Sequence, residues 1–193
     1  MDFISSATEA IRQTFSPTAK EKLDERAAEL RATLGDGLCV GVLGDASRHA
    51  EAVAQRAALE AVWLTLGQES AQGLANSCHG EVYHLIASWD RSGLPGTDLA
   101  VCADAPECAA LMAELGDIFL AFPGAESDAA DVLTAARERG AAVIPVAANA
   151  SSARPWFVNE EQWACLRDSD SPESKVAAAC AAALTSYDVH RKA

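Results

Sequence analysis

Apolar residues along the chain gather into short runs separated by polar stretches with helical spacing. The clearest unit runs from Met112 to Val146. Its five apolar residues Ile118 to Phe122 are too few for a helix and rich in β-formers, which predicts a strand buried on both faces. Pro123-Gly124 ends that strand. Ser127 is a candidate N-cap, Val132, Leu133 and Ala136 form a helical stripe, and Gly140 ends the helix before a second buried strand, Ala142 to Val146.

The same alternation extends upstream. Leu38 to Leu43 is a buried strand running into Gly44-Asp45-Ala46-Ser47-Arg48, and the helix that follows carries Ala50, Val53, Ala54 and Ala57 on one side. Val62 to Leu66 and Glu81 to Ile86 are further strands, separated by the loop Gly67 to Gly73. Trp89 to Thr97 is turn-rich and mobile by composition. Leu99 to Cys102 is another strand, and Pro106 opens a helix carrying Cys108, Leu111, Met112 and Leu115. Downstream, Asn149 to Pro155 is a loop and Trp156 to Leu166 a short helix anchored by Trp156, Trp163 and Leu166. Asp168 to Ser171 is an acidic turn, and Pro172 begins a last helix with Val176, Cys180, Ala183, Leu184 and Tyr187 at helical spacing. Ahead of the first strand, Ser6 to Glu9 and Thr18 to Glu21 have the form of capping boxes, each opening a helix.

Strands alternating with helices predict an α/β, three-layer, Rossmann-like fold: a mainly parallel sheet with helices on both faces. The expected division is an N-terminal helical extension over residues 1–37 and the Rossmann-like domain over residues 38–193. In such folds ligands sit at the carboxyl ends of the strands, near the following helix N-termini. The Gly41-x-x-Gly44 spacing fits either a phosphate site or an ordinary turn.

Composition narrows the partners. The 193 residues are half hydrophobic and carry a formal charge of −13. That charge repels a polyanion, and no Lys/Arg cluster offsets it, so nucleic acid is excluded as a partner. No apolar run reaches the 18 residues of a membrane span, and Met1-Asp2-Phe3-Ile4 lacks a signal-like apolar stretch, so a cytoplasmic protein is expected. Six cysteines include no Cys-x-x-Cys pair, and several lie in apolar segments, as small buried thiols do. Cys78, His79 and His84 cluster in sequence, but zinc needs four convergent ligands, so neither a metal nor a cofactor is expected.

From Glu107 onward the chain resembles the LOG family of nucleoside 5′-monophosphate phosphoribohydrolases and the wider SLOG group of Rossmann-like nucleotide-binding domains. That family carries Glu-Arg-Lys-x-x-Met-x-x-x-x-Asp, a strand, and then Pro-Gly-Gly-x-Gly-Thr-x-x-Glu. Glu107, Met112, Asp117 and Pro123-Gly124 stand in this register. The resemblance implies a homodimer, a nucleotide or small phosphorylated ligand, and catalytic roles at the positions of Glu107 and Asp131.

The departures fall on the chemistry. Cys108 and Ala109 stand where the family has Arg and Lys, Ala125 and Ser127 replace glycines, Asp128 replaces Thr, and Asp131 replaces the catalytic Glu. Cysteine cannot supply an arginine fork, and an Asp withdraws its carboxylate by roughly 1.5 Å, a misplacement able to cost about a hundredfold in rate. Glu126 and Asp128 also bring negative charge to a helix start that would otherwise attract phosphate. The expected protein is therefore a non-catalytic LOG-like domain that binds a nucleotide or related small ligand, or serves as an oligomeric subunit. Gly44, Asp45, Ser47, Arg48, Ser70, Gly73, Pro123, Gly124, Ser127 and Asp128 are its candidate ligand contacts. Two alternatives stay open: a phosphoribohydrolase with a rearranged site, in which Glu107 or Asp131 is the acid/base and Arg48 or Arg91 the cation, and a redox sensor built on the Cys108 thiol.

Overall fold

A computed structural model describes residues 17–57, 59–102, 104–149 and 152–193, without the side chains of 17, 18 and 100–102. The chain divides into two compact units, Met1–Asp36 and Gly37–Ala193. In the first, α1 spans Pro17–Leu34. Thr18 therefore lies within this helix instead of capping it, and the helix predicted after Ser6 falls outside the described residues.

The second unit is a six-stranded, all-parallel sheet in the order β4-β3-β2-β1-β5-β6. Its strands are β1 (Leu38–Leu43), β2 (Ala61–Thr65), β3 (Glu81–Ala87), β4 (Thr97–Cys102), β5 (Ile118–Ala121) and β6 (Ala142–Pro145). The helices are α2 (Ala50–Arg56), α3 (Gln72–Ser77), α4 (Ala105–Leu115), the single turn α5 (Ala125–Asp128), α6 (Ala130–Glu138), α7 (Glu160–Arg167) and α8 (Glu173–Arg191). Helix packing separates two layers: α2 lies against α3 and α8, whereas α4 lies against α6. The fold is thus the expected three-layer, Rossmann-like α/β architecture. No helix among the described residues is long and apolar enough to cross a membrane.

Strand alternation explains the two layers. Val40, Val42, Trp63, Ile118, Leu120 and Ile144 share a core with Val53, Cys180 and Leu184 of α2 and α8. On the opposite face, a Cβ at Gly41 would overlap the Phe119 ring and come within 3.3 Å of Met112 Cε. Gly41 pairs with Phe119 in the sheet register. It is the socket for this ring, which gives half of the Gly41-x-x-Gly44 pattern a packing role.

Several local expectations are corrected. Ser127 is not an N-cap: α5 begins two residues earlier, after Gly124 at φ +83°, and the helix breaks at Ala129 before resuming as α6. The loop after β2 contains a short 3₁₀ turn, Glu69–Ala71, and Gly73 lies inside α3. Asn159, not Trp156, starts α7 through a capping box with Gln162. Trp156 is 73% exposed, so it does not anchor a core. On the edge strand β6, Val146 N–H reaches Ala121 O. Alternation then turns Pro145 outward, where its missing N–H costs no ladder bond and blunts the edge.

Gly41→Ala is expected to destabilise the protein by about 1–3 kcal/mol through overpacking. A Phe119→Leu change in the same chain should recover part of that loss in urea unfolding, because it empties the space the new methyl needs.

His49, only 1% exposed and without a partner at Nδ1, sits just before α2. Burial, then the Arg48 charge, hold its pKa below the ordinary 6.5, against a smaller opposing pull from Glu173. The unfolded chain therefore binds the extra proton more readily, and stability falls as pH drops below 6.5. His49→Leu should flatten this part of the unfolding free energy measured between pH 5 and 8; an unchanged slope would count against the assignment.

Candidate functional site

The strand order reverses between β1 and β5, the point where an open α/β sheet ordinarily splays to admit a ligand. Here the two strand ends close on each other. Phe122 N–H donates to Leu43 O at 2.9 Å and Asp45 N–H to Pro123 O at 2.7 Å. Gly44, at φ +85°, permits the approach, since a Cβ there would lie 2.6 Å from Phe122 O and 2.8 Å from both Ala125 N and Pro123 O.

A pocket lies beside this junction, between the turn after β5 and the loop after β2. It has a volume of about 240 Å³ and is lined by Leu43, Gly44, Asp45, Leu66, Gln68, Ser70, Asp128 and Ala129. Gln68 braces its wall: Nε2 donates to Val42 O at 3.0 Å while Oε1 accepts from Leu66 N–H at 2.9 Å. Ser70 Oγ donates to Gly44 O at 3.3 Å. Larger surface pockets of about 530 and 650 Å³ lie beside β6 and along α7 and α8, and they contain none of the candidate catalytic or ligand-binding residues.

In the turn after β5, the amides of Ala125, Ser127, Asp128 and Ala129 are taken up inside the turn instead of being offered to an anion. Ala125 N–H bonds Phe122 O, the Ser127 and Asp128 N–H groups bond Gly124 O, and Ala129 N–H bonds Ala125 O. Ser127 Oγ lies 2.9 Å from both Gly124 O and Asp128 Oδ1. Asp128 folds back toward Gly124, where its Oδ2 stands 3.0 Å from the position of a Cβ. Glu126 turns away and takes both terminal nitrogens of Arg137, at 2.6 and 3.3 Å.

Of the candidate contacts, Gly44, Asp45, Ser70 and Asp128 come together in the pocket lining. Ser47 supports them from behind: its hydroxyl at 2.6 Å and its N–H at 3.1 Å donate to Asp45 Oδ1. These two bonds, hydroxyl first, hold the Asp45 carboxyl below the ordinary carboxylate range. Pro123 and Gly124 form the adjoining turn, Arg48 is exposed outside the lining, and Gly73 packs on α2 with its Cβ position 3.4 Å from Glu51 Cβ. Neither Glu107, in the first turn of α4, nor Asp131, exposed on α6, lines the pocket.

Cys108 is 4% exposed, and its N–H already bonds Asp104 O. It is a packed residue inside α4, without the partial exposure a reactive thiol needs. Cys78 Sγ donates to Gly80 O at 3.3 Å, and burial raises its pKa. No group of three His, Cys, Asp or Glu residues placed to hold a metal occurs among the described residues.

The buried His84 belongs to the framework. Its Nε2 lies 3.0 Å from Pro95 O, which can only accept, so this nitrogen carries the proton. Nδ1, 2.6 Å from Thr65 Oγ1, then accepts from the hydroxyl, whose oxygen in turn takes Gly67 N–H at 3.0 Å. Sequence reasoning missed this chain and Gln68 alike, since both depend on groups that only the sheet brings together.

Chemically, the lining offers acceptors. Asp45 Oδ2 and Asp128 Oδ2 have no hydrogen-bond partner among the described residues, Ser70 retains its lone pairs, and no Lys or Arg is present. Such a site suits a ligand rich in hydroxyl or amino donors. No protein-family model, curated protein or solved structure matches this chain.

Ser47→Ala removes the hydroxyl donor from Asp45. The Asp45 carboxyl is expected to titrate at higher pH in the variant when followed by carbon-detected NMR, and an unmoved midpoint would refute the stated cause of its depressed value.

Proposed function

We propose that this chain is a non-catalytic, LOG-like Rossmann domain that binds a nucleoside-type ligand at the carboxyl ends of β1 and β2 and works as a homodimer. The observation that carries the reading is the pairing of two unpartnered carboxylate oxygens with a turn whose determined amide partners are all internal. Ribose hydroxyls donate to Asp45 and Asp128, and to the lone pairs of Ser70, whose own proton goes to Gly44 O. A 5′-phosphate has no cation in the lining to meet it. Repulsion from one nearby carboxylate costs on the order of 1 kcal/mol, or about fivefold in affinity. Binding is preferred to N-glycosidic hydrolysis because Glu107 and Asp131 stand outside the pocket and Cys108 offers no positive charge.

Titration calorimetry with adenosine and AMP tests this directly. Adenosine should bind and raise the unfolding temperature, AMP should bind at least severalfold more weakly, and Asp128→Asn should narrow the gap. Absence of any response to adenosine at millimolar concentration would reject the proposal; release of ribose 5-phosphate from AMP would show that catalysis survives.

A further inference from the structure

We propose that Trp89 is the base-stacking residue of the pocket, so that the site takes nucleosides of planar bases in preference to simple sugars. This inference rests on the reading of the pocket as a nucleoside site. The ring belongs to residues 88–96, which connect the parallel strands β3 and β4 without a helix. That segment is pinned along its length. Asp90 N–H bonds Ala87 O at 2.9 Å, Asp98 accepts from Ser92 N–H at 3.2 Å and from Ser92 Oγ, and Pro95 O meets His84.

Trp89 stands outside the lining itself, and its segment abuts the loop that forms the pocket wall. A Cβ at Gly67 would stand 3.4 Å from Ser92 Cβ and 2.9 Å from Ile86 Cγ2. Gly67 is flanked by Leu66 and Gln68, both in the lining. Trp89 occupies the turn from Ala87 to Asp90 at the carboxyl end of β3. β3 is the neighbour of β2, one strand spacing of about 4.8 Å further along the same edge of the sheet.

The backbone of this segment is held while the ring is left uncovered. Trp89 is 72% exposed and has no ring partner among the described residues. Trp156, equally exposed, instead meets Phe157 and His190 edge-on at centroid distances of 5.8 and 4.4 Å. An indole on a fixed turn offers a flat, low-entropy surface with no sequence-specific demand, and a base stacked on an aromatic ring supplies the affinity that acceptor-only contacts to ribose lack.

The test is titration of the full chain with adenosine and with D-ribose, using Trp89→Ala and Trp89→Phe. Trp89→Ala should weaken adenosine binding about tenfold and leave ribose binding unchanged, while Trp89→Phe keeps most of the adenosine affinity. The unfolding temperature of each unliganded variant should match that of the parent, as befits an exposed ring. Adenosine affinity unaffected by Trp89→Ala overturns the stacking role alone. Failure of the parent chain to bind adenosine overturns the nucleoside reading and the stacking role with it.

Discussion

The contact between the ends of β1 and β5 is the constraint on which the rest of the molecule depends. These neighbouring strands mark the place where the sheet changes direction of growth, so their ends must be joined by loops leaving toward opposite faces. Two backbone hydrogen bonds and a glycine at φ +85° draw them so close that no side chain fits between. At the other end of the pair, Asp117 accepts Cys39 N–H at 2.9 Å and returns its own N–H to Cys39 O at 2.8 Å. Between these staples the Phe119 ring fills the space above Gly41. β1 and β5 are therefore fixed by their termini and by one interlocking ring.

Closing that crevice has an electrostatic consequence. The pocket sits beside these joined ends, with Asp45 from the end of β1, Asp128 from the turn after β5, and Gln68 and Ser70 from the loop after β2 around it. The turn that would cradle an anion spends its determined amides on Phe122, Gly124 and Ala125 carbonyls. Its two carboxylates meet different fates. Glu126 is neutralised by Arg137, while Asp128 stays beside Gly124 with one oxygen unpaired. The residues shared with the LOG pattern that have a clear contact here, Met112 beside Gly41 and Asp117 against Cys39, hold the framework together. Likeness in those positions is a likeness in packing, and a shared framework does not by itself carry a shared chemistry.

The centre of the sheet was legible because β1, β2 and β5 are each a short apolar run bounded by turn residues, and burial on both faces needs nothing beyond that pattern. Even Val62 to Leu66, which also fits a helical extension, resolves as β2 next to β1. Local signals misled where a distant or successive contact decided the outcome. Ser127 has the chemistry of an N-cap, yet Gly124 in the left-handed region starts the helix earlier and leaves Ser127 bonding backward to Gly124 O. Gly41 reads as part of a ligand loop until Phe119, far along the chain, is placed opposite it. Trp156 has the composition of a core anchor, but the Asn159 capping box begins α7 after it and leaves the ring outside.

Candidate site residues separated along the same line. Asp45 and Asp128 were visible as polar residues just beyond predicted strands, and the common edge of a parallel sheet brings such positions together without further information. Gln68 was not, because its role lies in carbonyl and amide partners on two different strands. The chain from Gly67 through Thr65 and His84 to Pro95 is of the same kind. Each group in it has a complementary neighbour, so a buried histidine and threonine are retained without an orphaned polar atom, where an unmade bond would cost about 1–3 kcal/mol. That satisfied chain joins the end of β2 to the segment crossing from β3 to β4. It allows a helix-free connection to hold a defined course over the sheet, and it ties the loop beside the pocket wall to Pro95, in the segment that also carries Trp89.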